Sequence, residues 1–203
     1  MKSNQVSSRL GRPRGFDADR ALDRALAIFW RDGYEGASLP ALTKAMGINR
    51  PSLYAAFGNK EALFRKALAR YDRGPAAYTY KALKKPTARG VVEAMLKGIV
   101  TLLTKPDHPG GCLMVQGALA CGENGQHVRE ELASRRAAGV VAIRRRFQRA
   151  IDEGDLPANA DATGLARFLA TVMHGLAVQA ASGASRKELV RVKDMVLRMW
   201  PPA

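Results

Sequence analysis

Four side chains between positions 50 and 60 could contact double-stranded DNA. Arg50 and Ser52 fall in the first turn of a short helical pattern, the end that could meet base edges in a major groove. Tyr54 lies near the exposed side of that pattern, where its hydroxyl could reach a phosphate. Lys60 begins the next pattern, where its charge and the backbone N–H groups together attract phosphate. These positions predict DNA binding.

Two short helices joined by a glycine turn would position these side chains. The first is predicted to be capped by Ser38, with Pro40 in its first turn, and to stop at Gly47. The second is predicted to be capped by Asn49, with Pro51 in its first turn. This is helix-turn-helix spacing, although pairs of short helices occur in many helical proteins. The apolar positions of the second helix are Leu53, Ala56 and Phe57. Its other face is therefore free to meet DNA.

A family resemblance is carried by residues 38–64, which read SLPALTKAMGINRPSLYAAFGNKEALF. This stretch resembles the DNA-binding domain of the TetR/AcrR family of bacterial transcriptional regulators. The matching features are a first helix rich in small residues, the AMGIN turn, the SLY…F of the reading helix and the NKEALF of the fourth helix. The resemblance covers roughly residues 16–72, and the rest of the chain matches only in its helical layout.

The resemblance implies a repressor-like homodimer on a palindromic operator, with an effector pocket in the C-terminal domain that controls DNA affinity. It also implies that Ser38 and Thr43 are neighbours of phosphates, that Pro51 belongs to the reading helix and that Lys60 clamps the DNA backbone. Many family members carry His or Tyr where this chain has Ala56, so that phosphate contact is not expected. The DNA contacts expected within the motif are Ser38, Thr43, Arg50, Pro51, Ser52, Tyr54 and Lys60.

The charge balance of the 203 residues supports a polyanionic partner. Lys and Arg number 33 and Asp and Glu 18, a formal net charge of +15, which favours nucleic acid over a membrane surface; a protein that is merely basic and soluble is the alternative. The basic N-terminal segment includes Arg9, Arg12 and Arg14, of which Arg12 and Arg14 are counted among the expected DNA contacts. The segment could follow the DNA backbone or enter a minor groove, or it could be a disordered solubilising tail.

Helical periodicity dominates the chain after Gly15, and no segment alternates convincingly as a strand. The predicted fold is all-α, with an N-terminal three-helix helix-turn-helix domain and a C-terminal helical ligand-binding and dimerisation domain. The predicted domains are a flexible basic arm at 1–15, a DNA-binding domain at 16–72 that includes the start of the connecting helix, and an effector-binding and dimerisation domain at 73–203. Residues 73–86 are predicted to join the two bodies.

The penultimate predicted helix, residues 161–182, is apolar nearly all round, which indicates burial on every side. We expect this helix and the last one, 186–200, to form a four-helix bundle about a two-fold axis in a homodimer. The alternative is that helix 126–153 covers both faces within one monomer. The expected dimer residues are Leu165, Leu169, Val172, Leu176, Val192 and Val196.

An effector pocket is expected among helices 88–104, 111–121 and 126–153, with a contribution from 161–182. An apolar to amphipathic organic ligand of unknown identity would suit such a lining. Periodicity selects five candidate residues, each of which could instead be core: Met95, Ile99, Phe147, Phe168 and His174. The long helix also carries a basic strip, either a solvated face or a site for an anionic effector or partner. The strip consists of Arg135, Arg136, Arg144, Arg145, Arg146 and Arg149.

Catalytic chemistry has little support in this sequence. The three histidines are scattered, and no paired-carboxylate, nucleophile-elbow, Walker or zinc pattern occurs, so no enzyme activity, cofactor or metal is expected. Cys112 and Cys121, with His127, could be a thiol-sensing or metal site, but two small buried residues are the default. No leader or span of ~18 apolar residues is present, so a cytoplasmic protein with no membrane partner is expected. The rival function is that of a non-specific nucleoid-type or RNA-binding protein.

Overall fold

The computed structural model describes residues 15–119 and 125–200 and is helical throughout those ranges, without a strand. This confirms the all-α prediction. The helices are α1 Ala18–Gly36, α2 Leu39–Met46, α3 Arg50–Phe57, α4 Lys60–Arg73, α5 Tyr78–Ala82, α6 Ala88–Leu103, α7 Leu113–Leu119, α8 Gln126–Asp152, α9 Ala162–Ala181 and α10 Arg186–Met199. No helix within the described ranges is both long enough and apolar enough to span a bilayer. Arg9, Arg12, Arg14 and Cys121 lie outside the described residues.

Side-chain caps start the helices of the predicted motif. The Ser38 hydroxyl oxygen accepts the N–H of Ala41 at 3.2 Å, and the Asn49 carboxamide oxygen accepts the N–H of Ser52 at 2.9 Å. Between them, Gly47 ends α2 with φ of 71° and ψ of 30°, a left-handed conformation that glycine adopts without steric cost. The caps and the turn together fix the angle between α2 and α3.

The first helix contains a break at Gly33. Gly33 has φ of 70° and ψ of −179°, as a terminating glycine would, but one further helical turn follows and reaches Gly36. Gly33 is buried, and the N–H of Ala37 donates to its carbonyl at 3.3 Å. The direction of the chain therefore changes inside α1, close to the start of α2.

The joint predicted at residues 73–86 contains a short helix, α5, that the sequence analysis missed. The glycine and prolines around it are turn signals, and five residues are too few to show helical periodicity. Tyr78 of α5 lies directly against Gly98 of α6, where an added Cβ would stand 2.1 Å from the tyrosine ring. Because Gly98 has no side chain, α5 packs closely against α6 and the Tyr78 ring is partly buried there.

The apolar core runs from the first four helices into the C-terminal ones. Phe29 and Phe64 meet edge-on in the N-terminal part, with ring centroids 5.0 Å apart, and both are fully buried. In the C-terminal part, α6 packs against α8, α9 and α10, and its inward residues include Val92, Leu96 and Val100. The motif is thus held against a larger helical body.

Candidate DNA-binding interface and ligand cavity

The second helix of the motif, α3, is anchored in the core by two apolar side chains, and most of its remaining surface is exposed to solvent. Leu53 and Phe57 are buried, whereas Arg50 and Pro51 are exposed and 46% of Tyr54 is accessible. These three outward residues occupy one end and one side of α3. Ser52 is half-buried, and its backbone N–H is taken by the Asn49 cap. The surface suits insertion of the helix tip into a groove.

Helix α2 offers fewer free donors than the sequence suggested. Ser38 is exposed, but the Thr43 hydroxyl donates to the carbonyl oxygen of Leu39 at 2.9 Å inside its own helix. A phosphate contact from Thr43 would have to replace that bond. Lys44, in the last turn of α2, is also exposed, and its position was not among the expected DNA contacts.

Lys60 is turned toward the end of α1 rather than into solvent. Its ammonium lies 4.7 Å from the centre of the Tyr34 ring and 3.5 Å from the carbonyl oxygen of Glu35. Burial lowers the pKa of Lys60, and the charge of the Glu35 carboxylate opposes that change. To bind a phosphate, the side chain would exchange these contacts for the DNA backbone, within the reach of its flexible stem.

A cavity of about 340 Å³ lies among α4, α5, α6, α7, α8 and α9. The sequence analysis expected a pocket among the C-terminal helices, and this cavity lies there. Contributions from α4 and α5 were not expected. Met95, Ile99 and His174 line the cavity as predicted. Its walls are mostly apolar, which matches the lining expected for an organic ligand.

Two of the five predicted pocket residues lie elsewhere, and this corrects the sequence analysis. Phe147 is fully buried and packs against Trp200, with ring centroids 5.3 Å apart, so it belongs to the core between α8 and α10. Phe168 points outward from α9 and is 43% exposed. Periodicity identified both as apolar helical positions but could not assign the neighbour that each one meets.

Tyr71 and Cys112 form a buried polar contact in the cavity wall that sequence reasoning did not assign. The Tyr71 hydroxyl donates to the Cys112 sulfur at 3.3 Å. Burial raises the pKa of the Cys112 thiol, although the bond from Tyr71 opposes that change, and burial also raises the pKa of Tyr71 well above its usual range. Both groups are therefore uncharged at neutral pH.

The cavity wall touches the first helix through Trp30. The Trp30 ring meets Tyr71 edge-on, with centroids 4.8 Å apart, and its indole N–H donates to the carbonyl of Gly111 at 3.1 Å. Gly111 immediately precedes Cys112. A change in the wall at Tyr71 or Cys112 is therefore one contact away from α1.

The arginines predicted to form one strip have four different environments. Arg135 is paired with Asp72 at 2.6 Å and with Glu131 at 2.9 Å. Arg136 lines the cavity, and buried Arg146 donates to the carbonyl oxygens of Lys85 and Pro86 at 2.9 and 2.7 Å. Arg144, Arg145 and Arg149 are exposed. A single charged face is thus the wrong description, because α8 turns these side chains toward different neighbours.

Three of the six predicted dimer residues are enclosed within one protomer. Leu169, Leu176 and Val196 are buried by neighbouring helices of the same chain, so a partner cannot reach them. Leu165 and Val172 are half-buried, and Val192 is exposed. The exposed apolar residues of α9 and α10, here called the α9–α10 outer face, are Phe168, Val178, Val192, Met195 and Met199. Leu169 and Leu176 thus lie on the side of α9 that packs within the protomer, and the dimer interface stays a prediction.

Comparison with known proteins agrees with this architecture. The family model "Bacterial regulatory proteins, tetR family" matches residues 21–67, and "Tetracyclin repressor-like, C-terminal domain" matches residues 86–196. The HTH-type transcriptional repressors ComR and BdcR of Escherichia coli (strain K12) are 34% and 30% identical to this chain. These matches cover 97% and 96% of this chain and 94% of each relative.

A solved structure extends the comparison to a DNA complex. It contains a cysteine mutant of the TetR family transcriptional regulator CifR, complexed with a 26-bp double-strand operator DNA. That chain is 46% identical to this one, with a TM-score of 0.89 over 94% of this chain and 100% of CifR. The family models span the helix-turn-helix and the helical body around the cavity, and the chain therefore belongs to the TetR family of bacterial transcriptional regulators.

Proposed function

We propose that this chain is a homodimeric transcriptional repressor that binds a palindromic operator and is released by a small-molecule effector bound in its cavity. ComR and BdcR are named repressors, and CifR was solved on operator DNA, which supports the same role here. The observation that carries the proposal is the contact of Trp30 with both Tyr71 and Gly111. It connects the cavity wall to the helix that packs against the DNA-binding motif.

The positions of these surfaces suggest a role for each segment of the chain. We assign residues 16–72 to DNA binding, residues 73–203 to effector binding and dimerisation, and residues 1–15 to a basic arm. Within the first part, Arg50 at the exposed tip of α3 reads bases, and Tyr54 beside it binds phosphate. Pro51 and Ser52 lie with Arg50 in the first turn of α3, and Ser38, Thr43 and Lys60, with Lys44 added, contact the DNA backbone around it.

Dimerisation is proposed to use the α9–α10 outer face. Its five large apolar side chains are open to solvent in one protomer, and a bundle of α9 and α10 from two protomers would bury them. Gly175 lies on the outward side of α9 with nothing within 4 Å of an added Cβ, so another helix can approach there closely. The residues beneath this face are buried within the protomer and pack against its inner side; they are Leu169, Leu176 and Val196.

Control of DNA affinity is proposed to act through the spacing of the two reading helices. The helices of a dimer must sit about 34–36 Å apart to enter successive major grooves. A ligand that moves Tyr71 and Gly111 displaces Trp30 and, with it, α1. Because base contacts tolerate little displacement, a coupling of about 1–3 kcal/mol is attainable without unfolding.

The test is selection of bound fragments from random DNA, followed by footprinting at physiological salt. The proposal expects a short protected palindrome and a dimer on it, and Arg50→Ala should relax the preference at one base position in each half-site. Coverage without sequence preference would instead identify a non-specific nucleoid-type or RNA-binding protein. Screening small molecules for release of the selected site then tests the effector part separately.

A further inference from the structure

The charges around the cavity are compensated on one side only. Arg135 belongs to a closed group, because its guanidinium donates to Asp72 at 2.6 Å and to Glu131 at 2.9 Å. Burial raises the pKa of Asp72, and the charge of Arg135 opposes that change, as expected for a partly buried pair. This side of the cavity therefore has its cation and its anions already matched.

Among the described residues, Arg136 has no carboxylate partner of this kind. One of its terminal nitrogens donates to the carbonyl oxygen of Met114 at 2.6 Å, a neutral acceptor. Within residues 15–119 and 125–200, no carboxylate lies within 4 Å of its guanidinium. The side chain is half-buried and forms part of the cavity wall. Its positive charge is therefore directed at the cavity region without a balancing group there.

The neighbours of Arg136 do not supply a negative charge. Its charge acts on Cys112 and His174, which both line the cavity. Burial raises the pKa of the thiol and lowers that of the imidazole, so both are neutral at pH 7. The cavity thus carries one uncompensated positive charge, contributed by Arg136.

The remaining wall is suited to a hydrocarbon body. Met95 and Ile99 from α6, Ile143 from α8 and Met173 from α9 line the interior, and a volume of about 340 Å³ accommodates a small organic molecule. Thioether side chains adapt to aliphatic and aromatic shapes alike. Exposed Tyr80 and Gly139 also belong to the lining and place the opening of the cavity between α5 and α8.

A neutral apolar ligand would match the apolar walls but would leave the charge of Arg136 without a partner. Filling the cavity would remove water from the Arg136 guanidinium, and a buried cation without a partner is costly. A carboxylate would replace that water with two charge-assisted hydrogen bonds in the planar geometry that guanidinium groups favour. The same ligand would keep its hydrocarbon part against the methionines. Desolvation of Arg136 therefore selects for an anion.

We propose that the cavity binds an amphipathic organic monocarboxylate, with its carboxylate paired to Arg136 and its aliphatic or aromatic body against Met95, Ile99 and Met173. This assignment rests on the proposed effector function and names the chemical class of the ligand. Arg136 acts as the residue that distinguishes an acid from a neutral compound of the same shape. The neutral imidazole of His174, which also lines the cavity, donates a further hydrogen bond to the same carboxylate.

The experiment compares matched probes on the full chain without DNA. Octanoate and 1-octanol have the same hydrocarbon length, as do 4-phenylbutyrate and 4-phenylbutanol, and their binding is measured by isothermal titration calorimetry. The wild-type protein should bind each acid at least about tenfold more tightly than its alcohol. Arg136→Met should remove this preference and leave alcohol binding within about twofold. Arg144→Met, an exposed arginine on the same helix, is the matched control and should keep the preference.

Conservative variants keep the test decisive if Arg136→Met folds poorly. Arg136→Gln retains a donor for the Met114 carbonyl but not the charge, and should lose the preference for acids; Arg136→Lys should retain part of it. Equal affinity of wild-type protein for acid and alcohol, or an unchanged preference in Arg136→Gln, would overturn the assignment. Footprinting of the selected operator with the same preparations separates this result from the proposed function, because specific operator binding would stand without any carboxylate preference.

Discussion

The indole N–H of Trp30 and the carbonyl of Gly111, 81 positions apart in the chain, form a buried hydrogen bond of 3.1 Å. Trp30→Phe keeps an aromatic ring but leaves the Gly111 carbonyl unpaired, so we expect the free energy of unfolding to fall by about 1–3 kcal/mol. Urea denaturation measures this. Trp200→Phe is the matched control, because the Trp200 indole nitrogen is buried with no partner among the described residues and no such bond is lost. An equal loss in both variants would mean that ring size, not the bond, is responsible.

Two glycines inside helices should respond to the same substitution with opposite sign. Gly98→Ala places a methyl group 2.1 Å from the Tyr78 ring and should destabilise the protein by about 1–3 kcal/mol. Gly139→Ala meets nothing within 4 Å and should stabilise α8 by about 0.5–1 kcal/mol. Thermal denaturation of the two variants checks both signs. Destabilisation by Gly139→Ala would contradict the open position of that residue on α8.

DNA contacts from α3 and α4 should differ in what they control. Arg50→Ala should cost about 1–3 kcal/mol at one base position, whereas Lys60→Ala should weaken binding to all sequences and reduce the salt slope by about one. Binding to a library of single-base operator variants at several salt concentrations separates the two effects. A loss of base preference on Lys60→Ala would overturn both assignments.

Charge introduced on the α9–α10 outer face should separate the protomers. Val192 and Met195 are 45% and 56% exposed, so Val192→Arg and Met195→Arg should leave each protomer folded while preventing burial of the face. Sedimentation velocity should show monomers, and operator binding should weaken with them. Val141→Arg on α8, at a similarly exposed apolar residue, is the matched control and should stay dimeric. A dimer that survives both α10 variants would place the contact elsewhere.

Acid should weaken the fold partly through His174. Burial, followed by the charge of Arg136, lowers its pKa in the folded state, so the unfolded chain binds protons first as the pH falls. The free energy of unfolding should therefore decrease between about pH 7 and pH 5, around the ordinary histidine pKa of about 6.5. His174→Gln should make that decrease shallower, as measured by urea denaturation at each pH. An unchanged slope would mean that other groups carry it.

Local rules predicted the DNA-binding part well. The Ser38 and Asn49 caps and the Gly47 turn each depend on two to four adjacent residues, so their effect is readable from spacing. Periodicity also located the long helices of the C-terminal body. Periodicity could not show which apolar side of α9 is buried. It therefore assigned a dimer contact to Leu169, which is buried, and a pocket position to its neighbour Phe168, which points outward.

Contacts between distant segments explain the rest. The fit of Tyr78 against Gly98 and the orientation of Arg136 toward the cavity both depend on how separate helices meet. Neither residue differs in type from many exposed tyrosines and arginines, so sequence spacing carries no signal for them. Only the assembled walls show that Arg135 and Arg136 line the cavity and that Arg135 is the one paired with carboxylates.

The break at Gly33 separates two sets of contacts that α1 makes. Trp30, before the break, contacts the cavity wall, whereas Tyr34 and Glu35, after it, hold the ammonium of Lys60. The two sets of contacts are joined through a backbone geometry that residues with a side chain rarely adopt, with φ of 70°. Under the proposed function, the backbone angle at Gly33 would set how a displacement of the cavity wall reaches the ammonium of Lys60.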